Sequence, residues 1–129
     1  MKEAILFCIA MSDPNKSNFN TIIREIIKKS LFTERQIEII LKQKKLLDVE
    51  FGVSKGAYYR QLAQSRSKIE SLHYTIILLQ AYGVILSDSD VISRLAEQLS
   101  VMKDGGFAPE NESQIIDVIQ KAVKQLVNM

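Results

Sequence analysis

Lys55, Gly56, Tyr59, Arg60, Gln64 and Arg66 follow a serine, Ser54, that is able to cap a helix. Together they offer what a nucleic-acid surface needs. Lysine and arginine meet phosphates, glutamine and arginine hydrogen-bond base edges, and a tyrosine ring adds apolar contact. Glycine lets a backbone approach closely. With Tyr58 and Leu62 turned inward at helical spacing, Lys55, Gly56, Tyr59, Arg60, Ala63 and Gln64 face outward. Lys42, Lys44 and Lys45 lie on the preceding segment, from which they could grip a phosphate backbone. The competing reading makes Tyr58 and Tyr59 both core residues and the cations a solvated face.

Other chemistries have little to draw on. His73 is the only histidine and Cys8 the only thiol, far apart in sequence, with no paired-ligand spacing and no glycine-rich phosphate loop. His73 follows Leu72 on an apolar stretch and reads as a packing or surface residue. Asp48 and Glu50 form a lone carboxylate pair, usually a solvated face. The expectation is a protein without enzymatic activity, cofactor or metal. A single cysteine excludes an intramolecular disulfide framework and fits a reducing, cytoplasmic setting. The apolar run Ala4 to Met11 lacks a basic flank and a small-residue cleavage site, so it reads as core. Tyr74 to Leu86 is too short for a bilayer and is interrupted by Gln80, so no membrane association is expected.

These residues must be positioned by helices. Leucine, isoleucine, lysine and glutamine recur at helical spacing, with only Pro14 and Pro109 as strong breakers. Ala4 to Met11 gives a first helix, although a short buried strand has the same pattern. Asn18 or Ser17 caps a helix from Phe19 to about Leu31, with Phe19, Ile22, Ile23, Ile26 and Ile27 on one face. Lys28 and Lys29 suit its C-terminal dipole. Thr33 and Gln36 form a capping box that starts a helix at Glu34, with Ile37, Ile40 and Leu41 inward. That helix ends near Lys45 or runs on towards Phe51. Gly52 can take a left-handed C-cap, and Ser54 caps a long helix from Lys55 to about Ala81. Its buried stripe is Tyr58, Leu62, Ser65, Ile69, Leu72, Ile76 and Leu79. After Gly83 the chain turns, and Ser87 to Asp90 cap a helix to about Lys103 that buries Val91, Ile92, Leu95, Leu99 and Met102. Asp104 to Pro109 is a loop, and Asn111 with Gln114 opens a last helix carrying Ile115, Ile116, Ile119, Ala122, Val123 and Leu126.

The formal net charge of +2 is unevenly divided. Residues 24 to 70 hold eleven Lys and Arg against six Asp and Glu, or +5, whereas residues 71 to 129 hold four against seven, or −3. An anion-binding half joined to a neutral-to-acidic association half has this pattern.

The segment FTERQIEIIL resembles the opening helix of sigma-factor region four and of LuxR-type and archaeal Tfx-type regulators, through Thr33, Arg35, Gln36, Glu38 and Ile39. GVSKGAYYRQLAQSRSKI resembles their turn and recognition helix, through Gly52, Val53, Ser54, Leu62, Arg66, Lys68 and Ile69. The Tfx-type likeness runs on along Glu70 and Thr75. By that resemblance Lys55, Gly56, Tyr59 and Arg60 would contact bases or phosphates, and Arg66 would have a phosphate or structural role. The chain departs from the pattern between Thr33 and Gly52, which is about five residues short and leaves the middle helix truncated or fused. Asp48 stands where a small Ala is usual, and Tyr58 replaces a smaller Val, so its hydroxyl needs a partner.

The expected architecture is one all-α, compact domain spanning 1–129, of about six helices. Residues 33–72 form its helix-turn-helix-like part, and residues 87–129 a helical C-terminal part used for packing or dimerisation. The expected function is a DNA-binding transcriptional regulator, a homodimer on double-stranded DNA. The alternative is a helical adaptor or assembly protein that binds a protein partner through its C-terminal helices.

Overall fold

The computed structural model describes residues 17–85 and 90–127. Its helices are α1 (Thr21–Lys29), α2 (Glu34–Gln43), α3 (Lys55–Ala81), α4 (Asp90–Met102) and α5 (Pro109–Leu126), with no strand among the described residues. The fold is therefore all-α. Five helices are seen among the described residues; the expected helix at Ala4 to Met11 and the cap at Ser87 to Ser89 lie outside them. α2 packs along α3, and α1 packs against α2 and α5.

Among the described residues, Ile22 and Ile27 of α1, Ile39 of α2 and Leu62 of α3 are the buried aliphatics, with Gln36 and Ser65 as buried polar residues. Each such aliphatic contributes about 1.5–3 kcal/mol by leaving water. The buried polar groups are satisfied locally. Ser65 donates to the Gln61 carbonyl at 2.8 Å, and Gln36 accepts from the Thr33 N–H at 3.1 Å and from Lys68 Nζ at 2.7 Å. Lys68 also donates to the Leu31 carbonyl at 2.8 Å, so one lysine of α3 fastens the α1–α2 turn.

The capping box of α2 forms as the sequence predicts, the Gln36 N–H donating to Thr33 Oγ1 at 3.1 Å. It also shifts the buried face of that helix. With Gln36 held inward, Ile39 becomes the buried residue, and Ile37, Ile40 and Leu41 are half-buried. α1 is capped by Asn20 rather than by Asn18 or Ser17; the Ile23 N–H donates to Asn20 Oδ1 at 3.0 Å. Ser17 and Asn18 instead donate to Glu34 and Glu38 of α2. The Asn20 amide nitrogen donates its two hydrogens among the carbonyls of Met102 (2.8 Å), Gly105 (2.9 Å) and, more distant, Lys103 (3.2 Å), so one residue starts α1 and holds the end of α4. α5 begins at Pro109, not at Asn111. Proline needs no N–H partner at the first helical position and its φ is already helical.

α2 ends at Gln43, and residues 44–54 are not helical, so the middle segment is truncated rather than fused. The stop is a Schellman motif with Lys45 in the left-handed region at φ 61°. The Leu46 N–H donates to the Leu41 carbonyl at 2.8 Å and the Lys45 N–H to the Lys42 carbonyl at 2.9 Å. Gly52, eight residues beyond the Lys44 cap, does not end this helix. α3 ends in the same motif with Gly83 at φ 76°, its N–H donating to the Gln80 carbonyl and that of Val84 to Leu79.

Candidate nucleic-acid interface

Ser54 starts α3 as the sequence predicts, accepting the Ala57 N–H at 3.1 Å. Along α3, Leu62 and Ser65 are buried, and Tyr58, Ile69, Leu72, Ile76 and Leu79 are half-buried, which is the expected stripe. Lys55, Gly56, Tyr59, Arg60, Ala63, Gln64 and Arg66 are exposed. Residues turn by about 100° along a helix, so Gly56 and Ala63 run down the middle of that face, Arg60 and Tyr59 flank them, and Gln64 and Arg66 stand on opposite edges. The middle is low in profile. A Cβ added at Gly56 would meet only Arg60 Nη1, at 4.0 Å.

The connection 44–54 folds back on this end of α3 through an aromatic cluster. Phe51 and Tyr58 lie with ring centroids 5.8 Å apart, and Tyr59 meets Tyr58 edge-on at 5.4 Å and 87°. Arg35 stands 5.1 Å and Lys42 Nζ 5.2 Å from the Phe51 centroid, and Lys42 Nζ is 5.9 Å from that of Tyr58. The Tyr58 hydroxyl has the partner it needs, donating to Gln43 Oε1 at 3.2 Å. The irregular connection is thus held through Phe51, which lies against Tyr58 and under the cations of α2, while the Tyr58–Gln43 bond joins α3 to the end of α2.

An open depression of about 450 Å³ lies here, lined by Lys42, Gln43, Glu50, Phe51, Val53, Lys55, Tyr58 and Tyr59. The nine candidate residues divide accordingly. Lys42, Lys55 and Tyr59 share the depression, and exposed Lys44 and Lys45 follow directly on Gln43. Gly56 and Arg60 adjoin it on α3. Gln64 and Arg66 stand apart, about 13 Å or more from Lys55 along the axis. Lys42 is turned over Phe51 and lies 3.9 Å from the Glu50 carboxylate, whereas Lys44, Lys45, Lys55 and Arg60 are exposed. Tyr59 is 54% exposed, so its ring is available to a ligand. No acidic residue lies in the first turn of α3 itself, and Glu50, on the wall of the depression, is the carboxylate beside the positive end of its dipole.

Sequence reasoning missed Phe51, Gln43 and Arg35 as the parts that hold this end. An aromatic inside an aperiodic stretch gives no pattern to follow, and its partner Tyr58 is recognisable only as a large residue on an inner face. His73 is exposed, its Nδ1 2.8 Å from the Ile69 carbonyl one turn back in α3. Among the described residues no group of three or more His, Cys, Asp or Glu is placed to hold a metal, and no helix is long and apolar enough to cross a membrane. The chain matches no family model, no curated protein and no solved structure.

Proposed function

We propose that this chain binds double-stranded DNA, as a transcriptional regulator without enzymatic activity, through the outer face of the first half of α3. The observation that carries the reading is the composition of that face. Exposed Tyr59, Arg60 and Arg66 surround the small residues Gly56 and Ala63, at a helix end where Lys44, Lys45 and Lys55 are also exposed. A low-profile helix edged by long donors fits the major groove, and cations on the adjoining turn fit the flanking phosphates. In this scheme Lys44, Lys45 and Lys55 contact phosphate, and Gly56 permits close approach. Tyr59, Arg60 and Gln64 face bases, Arg66 reaches the opposite strand edge, and Lys42 stiffens the platform by its contacts to Phe51 and Glu50.

Anisotropy titrations of wild type and of a Lys55→Ala, Tyr59→Ala, Arg60→Ala variant against labelled genomic duplex fragments test the assignment. Loss of at least about 1–3 kcal/mol of binding is expected for each base-facing side chain removed. Equal affinity of the two proteins would remove α3 as the recognition helix, and no binding by either would favour the adaptor reading.

A further inference from the structure

The outer face of α3 changes chemistry halfway along. At about 100° per residue, Tyr74, Ile77 and Leu78 lie in line with Gly56, Arg60 and Ala63 of the same helix. Tyr74, Ile77 and Leu78 are 69%, 64% and 56% exposed, and Tyr82, at the end of the helix, is 80% exposed. The opposite side of this half is apolar too, with Leu72, Ile76 and Leu79 half-buried. Exposed Ser71, His73, Thr75 and Gln80 lie between these two apolar sides. An amphipathic surface helix needs one apolar side, yet this one carries a second in water.

We propose that this face is the contact surface for a second copy of the chain, two α3 helices packing by their second halves about a two-fold axis. The patch has the size such a contact requires. At about 200 Å² for a whole tyrosine, the four exposed residues leave on the order of 500 Å² of largely apolar surface. That is near the upper limit of about 600 Å² for a single patch on a monomer. Two such patches bury about 1,000 Å², the threshold of a specific interface, before any half-buried neighbour is included.

The charge pattern selects the occupant. Between Glu70 and Asp88 there is no Lys, Arg, Asp or Glu. DNA finds no cation on this stretch, and a charged partner helix would have to bury its charges without compensation. An identical uncharged face buries none, and a two-fold contact needs one self-complementary patch. The contact lies in the apolar stretch of residues 74–86 and not on the C-terminal helices of residues 87–129. It shares a helix with the proposed DNA-reading face but does not depend on DNA binding.

Sedimentation equilibrium of the full chain without DNA, over a hundredfold range of concentration, is the test. Wild type is expected at twice the chain mass. An Ile77→Glu, Leu78→Glu variant is expected at half the wild-type mass with unchanged helical circular dichroism, since both positions face solvent in the single chain. The Lys55→Ala, Tyr59→Ala, Arg60→Ala variant should stay dimeric, which separates failure of this proposal from failure of the DNA reading. As a check independent of the charged variant, Leu78→Cys in a Cys8→Ser background should form a disulfide-linked dimer under mild oxidation. A monomeric wild type overturns the proposal. Fast alkylation of that cysteine would then leave the face to a different protein, and slow alkylation would assign it to a segment of the same chain. A dimer indifferent to the double variant overturns it equally.

Discussion

Lys68 of α3 donates to Gln36 of α2 at 2.7 Å, and the same Gln36 oxygen accepts the Thr33 N–H that starts α2. One buried amide therefore ties the capping box of one helix to the packing of the next. Gln36→Ala should cost about 2 kcal/mol in urea unfolding, because it leaves a helix-start N–H without its acceptor and takes from the half-buried Lys68 ammonium one of two acceptors. Gln36→Glu should recover much of the loss by keeping both acceptor contacts. A loss below about 0.5 kcal/mol for the alanine variant, the range of an ordinary surface substitution, would contradict this role.

The two Schellman stops give a matched pair. Lys45 at φ 61° occupies a position where glycine is unstrained, so Lys45→Gly should raise stability by about 1 kcal/mol. A methyl group at Gly83, where φ is 76°, would meet nothing within 4 Å, so Gly83→Ala should lower stability by about the same amount through backbone strain alone. Chemical unfolding of both variants checks the signs. If Lys45 contacts phosphate, Lys45→Gly will also weaken DNA binding while it stabilises the fold, which separates the two effects.

Much of this arrangement is legible in the sequence, where the deciding group is local. Thr33 and Gln36 are three apart and form their box; Ser54 lies directly before an apolar stripe that repeats by three and four for more than twenty residues. Gly83 reads as a turn because glycine there is cheap. The same logic fails where a residue is used against its preference or by a distant partner. Lys45 carries no mark of a left-handed stop, and the glycine that does, Gly52, lies beyond it. Asn18, Ser17 and Asn20 are equally able to cap α1, and the choice falls to Asn20 because its amide also reaches α4, more than eighty residues away. The aromatic platform under Lys42 belongs to the same class, since Phe51 has no periodic neighbour.

Asn20 itself supplies a test of how the C-terminal helices are held. Asn20→Asp keeps the oxygen that caps α1 but turns three amide–carbonyl contacts into carboxylate–carbonyl repulsion. Hydrogen exchange should quicken at the end of α4 and in α5 and stay unchanged in α2 and the first half of α3. Uniform quickening across all helices would show that Asn20 acts through α1 alone.

If the outer face of α3 meets DNA, duplex binding depends steeply on salt. Lys44, Lys45, Lys55, Arg60 and Arg66 are exposed cations on or beside that face. Each phosphate neutralised contributes about −0.9 to the slope of log K against log salt. Wild type is expected to show a slope of about −3 or steeper, and a Lys44→Ala, Lys45→Ala, Lys55→Ala variant a slope shallower by about 2–3, with unchanged helical circular dichroism. Identical slopes for the two proteins, or no binding by wild type at low salt, would contradict DNA contact by this face.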